Sequence, residues 1–455
     1  MPIAVLAQDT DPTPTPNAAT SASEPLIPLV HTVQEGENLT FIANYYGVTI
    51  EDLLLINGLT DGDVLNVGQT LIIPGGEGEA IATVYNAQAG DTLQQIAAVF
   101  NTTPTEILNS NRIINPHIKP VVGQSFTIVS KNGTPFPQGH TGTPHVVALG
   151  ETLPMIAAQY NISPTLIMEA NQIDYPTYLF PGQRLRIPGE QPYRYLDGEW
   201  VDVRIRPLPI QQGSTVSIYV ENSLAGQPSG KFAGLPLRFF PYEDGYAALV
   251  GIDAFTEPGL YELELSGSGN RPWRPLSQPV RINSSNFITR YISVPDDPVT
   301  RQEEDAFLAT IYTQFTEDNA WDGLFQFPVT TTIVTGPYGD PRSYDGGPVE
   351  IYHTGVDFAG AVGTPILSPA PGTIVYTGTL QLRGNAVIID HGLGVMSAYF
   401  HLSEIFVNEG DKVTAGQPIG AGGDTGLSTG PHLHWDLRIL DVPVNGLQWT
   451  ETTFP

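Results

Sequence analysis

Cysteine is missing from all 455 residues, which excludes disulfides, thiolate metal ligands and a lipidated N-terminal cysteine. Basic residues are few, with 19 Lys and Arg against 47 Asp and Glu, for a formal net charge of −28. Such a chain repels phosphate backbones and anionic bilayers, so nucleic acid and membrane surfaces are poor partners. No stretch approaches the ~20 consecutive apolar residues that a membrane helix requires. What the chain has in quantity is turn chemistry, 47 Gly and 41 Pro beside a hydrophobic content of 41%. That combination predicts a multidomain protein of short strands and loops rather than long helices.

Residues 1–30 are expected to hold no folded unit. MPIAVLA ends in the small-residue pattern of a signal-peptide cleavage point but has neither a basic start nor a full apolar core, which leaves open a truncated signal-like start or an ordinary frayed end. Residues 8–25 carry almost no large apolar side chain and read as a disordered tether.

Three segments then repeat one plan, over 31–75, 84–130 and 144–189. Gly36, Gly90 and Gly150 recur with the same offsets as Asn57, Asn111 and Asn171, so the internal spacing is fixed while the linkers vary. A short strand leads into a Gly turn, and Leu39, Ile42, Ala43 and Tyr46 follow at helical spacing. A second helix carries Leu53 and Leu54, and each unit closes with Gly-Gln and another strand, as at Gly68-Gln69, Gly123-Gln124 and Gly182-Gln183. The pattern is βααβ.

On these residues the three units resemble LysM modules, and the resemblance implies binding to N-acetylglucosamine-containing glycan. Carried over by position, a shallow groove would use the turns beginning at Gly36, Gly90 and Gly150 and the loops near Asn57, Asn111 and Asn171. The same residues also have structural uses, Gly in the turn and Asn at a helix C-terminus. Tandem weak sites gain from effective concentration.

Residues 191–285 change to alternating strands, as in Thr215–Val220 and Tyr261–Leu265, and predict an all-β, immunoglobulin-like sandwich acting as a spacer. A capping box at Thr300 and Glu303, with Phe307, Ile311 and Phe315 at four-residue spacing, predicts a linker helix over 300–320.

The chemistry concentrates in the last domain, 325–455, where His353, His391, His401, His432 and His434 fall close together. With no sulfur ligand available, His and carboxylate groups suit a borderline ion such as zinc. His432 and His434 lie two apart in an alternating run, so they should face one site while Leu433 and Trp435 face away. His391 is flanked by Gly and reads as a structural turn residue. Tyr399, two before His401, either lines the site as a substrate contact or packs the core.

From about Phe327 to Val444 the chain resembles the M23, lysostaphin-like metallopeptidases. The resemblance rests on His353-x-x-x-Asp357-Phe358-Ala359, Tyr399-x-His401-Leu402, Gly410-x-x-Val413-x-x-Gly416-Gln417 and Thr425-Gly426-x-Ser428-Thr429-Gly430-Pro431-His432-Leu433-His434. It implies a β-rich catalytic domain built on an antiparallel sheet, with one Zn2+ on His353, Asp357 and His434 and with His401 and His432 as catalytic histidines. Tyr344 or Tyr352 could add a hydrogen bond, and the spacing does not choose between them. The expected protein is a secreted or envelope-associated endopeptidase that cuts peptide cross-links or stem peptides of bacterial peptidoglycan, anchored by its LysM-like units. A regulator that had lost its ligands and a pure glycan scaffold are the alternatives, and both conflict with the retention of all five residues.

Overall fold

The computed structural model describes residues 29–455 except 34–37, 47, 49, 51–52, 55–69, 74–80, 101, 131–142, 161, 172, 174, 176–178, 188–195, 197, 270–271, 293–296 and 345. The expected signal-like start and tether, and the turn and loop positions Gly36 and Asn57, lie outside the described residues. No helix among the described residues is long and apolar enough to cross a membrane.

Two compact units divide the chain, residues 1–83 and 84–455. In the first, strands Leu29–Thr32 and Thr70–Ile73 pair antiparallel, and helix Leu39–Tyr46 places Ile42 and Ala43 in a small core with Leu53, Leu71 and Ile73.

The larger unit begins with two further strand-helix-helix-strand modules. One runs through Ile81–Asn86, Leu93–Val99, Pro104–Ser110 and Ser125–Ser130, the other through Thr143–Val146, Leu153–Gln159, Pro164–Asn171 and Arg184–Ile187. Helix starts in the first are fixed by capping boxes, Thr92 with Gln95 and Thr103 with Glu106, and Pro104 sits where a missing N–H costs nothing. Asn111 caps the second helix and staples it to the closing strand. Its Nδ2 donates to the carbonyls of Ile107 and Thr127, both at 2.8 Å, and its Oδ1 accepts from the N–H of Thr127 at 2.7 Å. Asn171 repeats the same three bonds with Ile167 and Arg186. One physical reason for the Asn in these two repeats is therefore internal.

Next come two sheets face to face. Five strands order as Leu235–Pro236, Gly226–Phe232, Gly259–Gly269, Leu276–Asn283 and Ile210–Gln211. Four order as Phe240–Tyr242, Gly245–Gly251, Thr215–Asn222 and Trp200–Arg206. Val203, Ile218 and Val250 from the second meet Phe232, Leu263 and Val280 from the first in one apolar core.

The expected string of separate domains gives way here to a shared core. Every residue of Thr215–Asn222 is buried: Val216, Ile218 and Val220 face the sandwich core, and on the other face Thr215 meets the last domain while Tyr219 lies under Arg204 and Glu221 pairs with Arg184. Ala247 and Leu249 join the cluster of Val444 and Trp449. Thr215 adds polar contacts, its N–H donating to Gln448 Oε1 at 2.7 Å and its Oγ1 accepting from Trp449 Nε1 at 2.9 Å.

The linker helix spans Pro298–Tyr312, three residues earlier than the expected capping box. Asp297 is the cap, accepting from the Thr300 N–H at 3.1 Å and the Thr300 Oγ1–H at 2.7 Å. Thr300 thus serves the first turn instead of starting it, and Asp-Pro supplies the stronger start signal. Leu308, Ile311 and Tyr312 face inward, whereas Phe307 is 43% exposed, edge-on to Tyr376, and Phe315 lies beyond the helix end.

That helix covers one end of an antiparallel sheet ordered Val334–Gly336, Gly355–Ala359, His432–Ile439, Val395–Leu402, Gly384–Gly392, Gly372–Leu380 and Lys412–Val413. On one face Val356, Phe358, Val387, Leu433 and Trp435 form the main core. On the other, Ala386, Ile388, Met396, Ala398 and Phe400 pack against the helix, and beyond them the face opens onto a cleft.

Candidate metal centre and catalytic cleft

Three neighbouring strands position the chemistry. Asp357 on Gly355–Ala359 is directly opposite His434, and His434 is opposite Phe400 on Val395–Leu402. Because side chains alternate, burying Val356, Phe358, Leu433 and Trp435 on the core face turns Asp357, His432 and His434 to the other. Backbone must come close here. A Cβ on Gly336 would stand 2.3 Å from Asp357 Oδ2, and one on Gly355 would stand 2.6 Å from His434 Nε2.

Among the described residues, His353, Asp357 and His434 form a group able to hold a metal. Asp357 Oδ1 lies 2.9 Å from both His353 Nε2 and His434 Nδ1, and those two nitrogens are 3.0 Å apart. A tetrahedral zinc with bonds of about 2.0–2.1 Å would separate its ligand atoms by roughly 3.3 Å. The triangle therefore fits with a few tenths of an ångström of opening, and two imidazoles with one carboxylate leave a fourth position free.

Backbone carbonyls set the histidine tautomers. A carbonyl only accepts, so the Nδ1 of His353, 2.8 Å from Pro337 O, carries the proton and leaves the Nε2 lone pair facing the triangle. His401 Nδ1 donates in the same way to Thr425 O at 2.8 Å, and His432 Nδ1 to Gly430 O at 2.8 Å. The His401 and His432 rings are 4.8 Å apart between centroids, and His432 Nε2 is 3.7 Å from Asp357 Oδ1.

Burial pushes the His434 imidazolium pKa down to about 3 and that of His401 down to about 4, so both rings are neutral near pH 7. Burial alone would raise the Asp357 carboxyl, but the electrostatic pull of the adjoining His353 and His434 rings outweighs it and holds Asp357 well below the usual carboxylate range. Ionised carboxylate and neutral imidazoles are the forms that bind a cation.

The cleft, about 390 Å³, also takes in residues that sequence reasoning passed over. Arg342 Nη2 stands 3.4 Å from Asp357 Oδ2, and Arg342 Nη1 is 3.5 Å from the Tyr344 hydroxyl. Tyr344 lines the cleft, whereas Tyr352 turns toward the sandwich and donates to Asp253 Oδ2 at 2.5 Å. Strand Arg290–Ile292, from the linker ahead of the helix, pairs in parallel with Pro341–Tyr344 and adds a second arginine and Tyr291 to the wall. Their one signal in the sequence is scarcity, two arginines in one cleft of a chain with 19 basic residues.

Tyr399 does not line the cleft. It is fully buried opposite Trp435, with its hydroxyl 2.8 Å from Ser397 Oγ. Two-residue alternation would put His401 on that same core face, but His401 adopts φ 61°, which breaks the pleat and swings its ring across to His432. His391 is structural and sits on strand Gly384–Gly392 rather than in the turn, donating to Pro371 O at 2.7 Å with Nε2 at 2.8 Å from Ser397 Oγ.

Residues 351–446 match the model of peptidase family M23, and residues 31–74, 85–129 and 145–188 each match the LysM domain. Residues 351–446 are thus an M23 peptidase domain, and three LysM domains precede it. It is 46% identical over 96 residues to the peptidoglycan DD-endopeptidase ShyA of Vibrio cholerae serotype O1, covering 21% of this chain and 22% of that protein. It is 34% identical over 167 residues to the N-acetylmuramoyl-L-alanine amidase sle1 of Staphylococcus epidermidis, covering 35% of this chain and 51% of that protein. Against the catalytic domain of the antimicrobial peptidase lysostaphin from Staphylococcus simulans the identity is 33%, covering 27% of this chain and 93% of that one, with a TM-score of 0.24. The chain thus spans about a fifth to a half of the length of these curated relatives.

Proposed function

We propose that this protein is a zinc-dependent endopeptidase of bacterial peptidoglycan, working outside the cell or in its envelope, cutting stem peptides or peptide cross-links and held on glycan by LysM domains. The observation that carries the reading is the triangle of His353 Nε2, Asp357 Oδ1 and His434 Nδ1, with both other cleft histidines neutral or tautomer-locked toward it.

His353, Asp357 and His434 would hold one Zn2+. When bound, the ion supplies Lewis acidity, lowering the pKa of a water at its open position toward neutrality and polarising a peptide carbonyl. His401 and His432 present Nε2 lone pairs to the cleft, so each can accept a proton from the attacking water and return it to the leaving amine. Burial that holds His401 near a pKa of about 4 makes it a weak resting base that does not stay protonated at neutral pH. Tyr344, the one of the two candidate tyrosines on the cleft wall, can donate to the oxygen that gains charge.

Incubating zinc-loaded protein with purified peptidoglycans of different cross-link chemistry, with and without a chelator, tests the proposal by mass analysis of released fragments. Chelator-sensitive release of peptides is expected and names the bond. Intact wall in every sample, with protein bound and metal in place, would sink it.

A further inference from the structure

The second and third LysM domains are close copies, yet their corresponding loops meet opposite surroundings. In both, the turn after the first strand and the loop before the last strand are tied together by the same pair of backbone bonds. Ala87 N–H donates to Gln124 O and Gly123 N–H to Ala87 O, both at 2.9 Å; Val147 N–H donates to Gln183 O at 2.8 Å and Gly182 N–H to Val147 O at 2.7 Å. The two loops therefore form one composite edge in each copy, the edge where the repeats place a glycan groove.

In the second domain that edge is taken. Val122 forms a parallel bridge with Val280 of the sandwich, its N–H reaching Pro279 O at 3.3 Å and its carbonyl accepting from Arg281 N–H at 2.9 Å. Gly90 N–H, in the turn, donates to Gln278 Oε1 at 3.3 Å, and Asn86 Nδ2 donates to Leu208 O at 3.0 Å. Ala89 and Val122, each 1% exposed, belong to the sandwich core rather than to their own domain's core.

In the third domain the equivalent positions are open. Leu149, matching Ala89, is 89% exposed, and Phe180, next to the match of Val122, is 58% exposed. A Cβ on Gly150 or Gly182 would meet nothing within 4 Å. This domain docks through its last strand instead, with Arg184 Nη2 2.6 Å from Glu221 Oε1 and Arg186 Nη2 donating to Trp200 O at 2.9 Å. Among the described residues nothing covers its composite edge, which is flanked by the kind of apolar and aromatic side chains on which the C–H face of a pyranose ring rests.

We infer that the second LysM domain has given its glycan edge to the sandwich and works as a rigid coupler, while the third presents the working glycan edge of residues 84–455. The inference rests on the reading that LysM domains hold this protein on glycan. It divides the labour among repeats that look equivalent in sequence: a ligand at the second domain would have to displace buried Ala89 and Val122 and the bridge to Val280, whereas at the third it displaces only water.

Amide hydrogen exchange on the full chain tests it, with an N-acetylglucosamine pentamer as the probe. Without probe, the amides of Gly90, Val122 and Arg281 should exchange slowly, and Gly90 more slowly than Gly150. With probe, added protection should appear at residues 148–153 and 179–183 and not at 88–92 or 119–124. Fast exchange of Val122 and Arg281 in the free protein, or added protection in the second domain's loops, overturns the inference. Protection nowhere, with Val122 and Arg281 still slow, removes glycan binding and with it the third domain's role, and leaves only the docking of the second.

Discussion

His401 donates its backbone N–H to the carbonyl of Arg383 at 2.9 Å while holding φ at 61°. The donor side of that bond is the residue whose ring faces His432, and the acceptor side is anchored by the linker helix. Glu304, buried, accepts from Arg383 Nη1 at 2.9 Å and from the Leu382 N–H at 2.8 Å. Asp305 grips the same guanidinium. Helix, loop and the strand that ends at His401 are thereby one mechanical chain, although the helix lies ahead of the matched M23 segment.

Glu304→Ala should therefore act at a distance from the cleft. Removing Glu304 leaves Arg383 with Asp305 as its carboxylate partner and takes the acceptor from the Leu382 N–H, at a cost of about 1–3 kcal/mol of stability. Zinc content should stay at one per chain, because no ligand is touched, and kcat should fall roughly tenfold with KM changing less, as expected when a proton-transfer group is misplaced. Equal kcat in a folded Glu304→Ala protein would mean that the loop keeps its position unaided.

Ligand and proton-transfer roles separate by metal analysis. Asp357→Ala and His434→Ala each remove a corner of the triangle and should lose zinc and turnover together. His401→Ala should keep zinc while turnover drops by about 10²–10⁴. Normal turnover in zinc-loaded His401→Ala would move the base role to His432 alone.

Much of the site could be read from the chain because it obeys alternation. His432, His434 and Asp357 face the cleft since Leu433, Trp435, Val356 and Phe358 are too apolar to face anything but the core. The same rule left Tyr399 open between cleft and core, because a positive φ at His401 breaks the period and a left-handed non-glycine residue leaves no mark in composition. Arg290 and Tyr291 were illegible for another reason. They reach the cleft by a parallel pairing with a strand about fifty residues later, and such non-local pairing has no local signature. The early helix start shows competition between two caps, in which Asp297 before Pro298 prevails over Thr300.

Acid should weaken the fold through His391. Burial lowers its pKa from 6.5 to about 4, against the opposing hydrogen bond to Pro371 O and the charge of Asp390. The unfolded chain binds the proton first, so stability is full above about pH 6.5, falls as pH drops toward 4 and levels off below, a loss of about 3 kcal/mol. His401 and His434 carry the same sign, so the informative quantity is a difference. His391→Asn, compared with the unsubstituted protein at the same metal loading, should show a flatter decline in unfolding free energy between pH 6.5 and 4.5. Parallel declines would assign the acid sensitivity elsewhere.

The staple asparagines offer a case in which a fold role and a glycan role give opposite readouts. Asn171→Ala would remove three hydrogen bonds, one from the Arg186 N–H and two to the carbonyls of Arg186 and Ile167, at a cost of about 2–3 kcal/mol. Exchange of the Leu185 and Ile187 amides should accelerate by roughly 30- to 100-fold, while cleavage of a small soluble peptide stays unchanged. Asn171→Asp should not rescue, because it keeps the acceptor for Arg186 N–H but turns a second acceptor toward two carbonyls. Unchanged exchange together with weakened wall binding would make Asn171 a ligand contact first, and the three bonds of its carboxamide would then be incidental to the reason it recurs at every repeat.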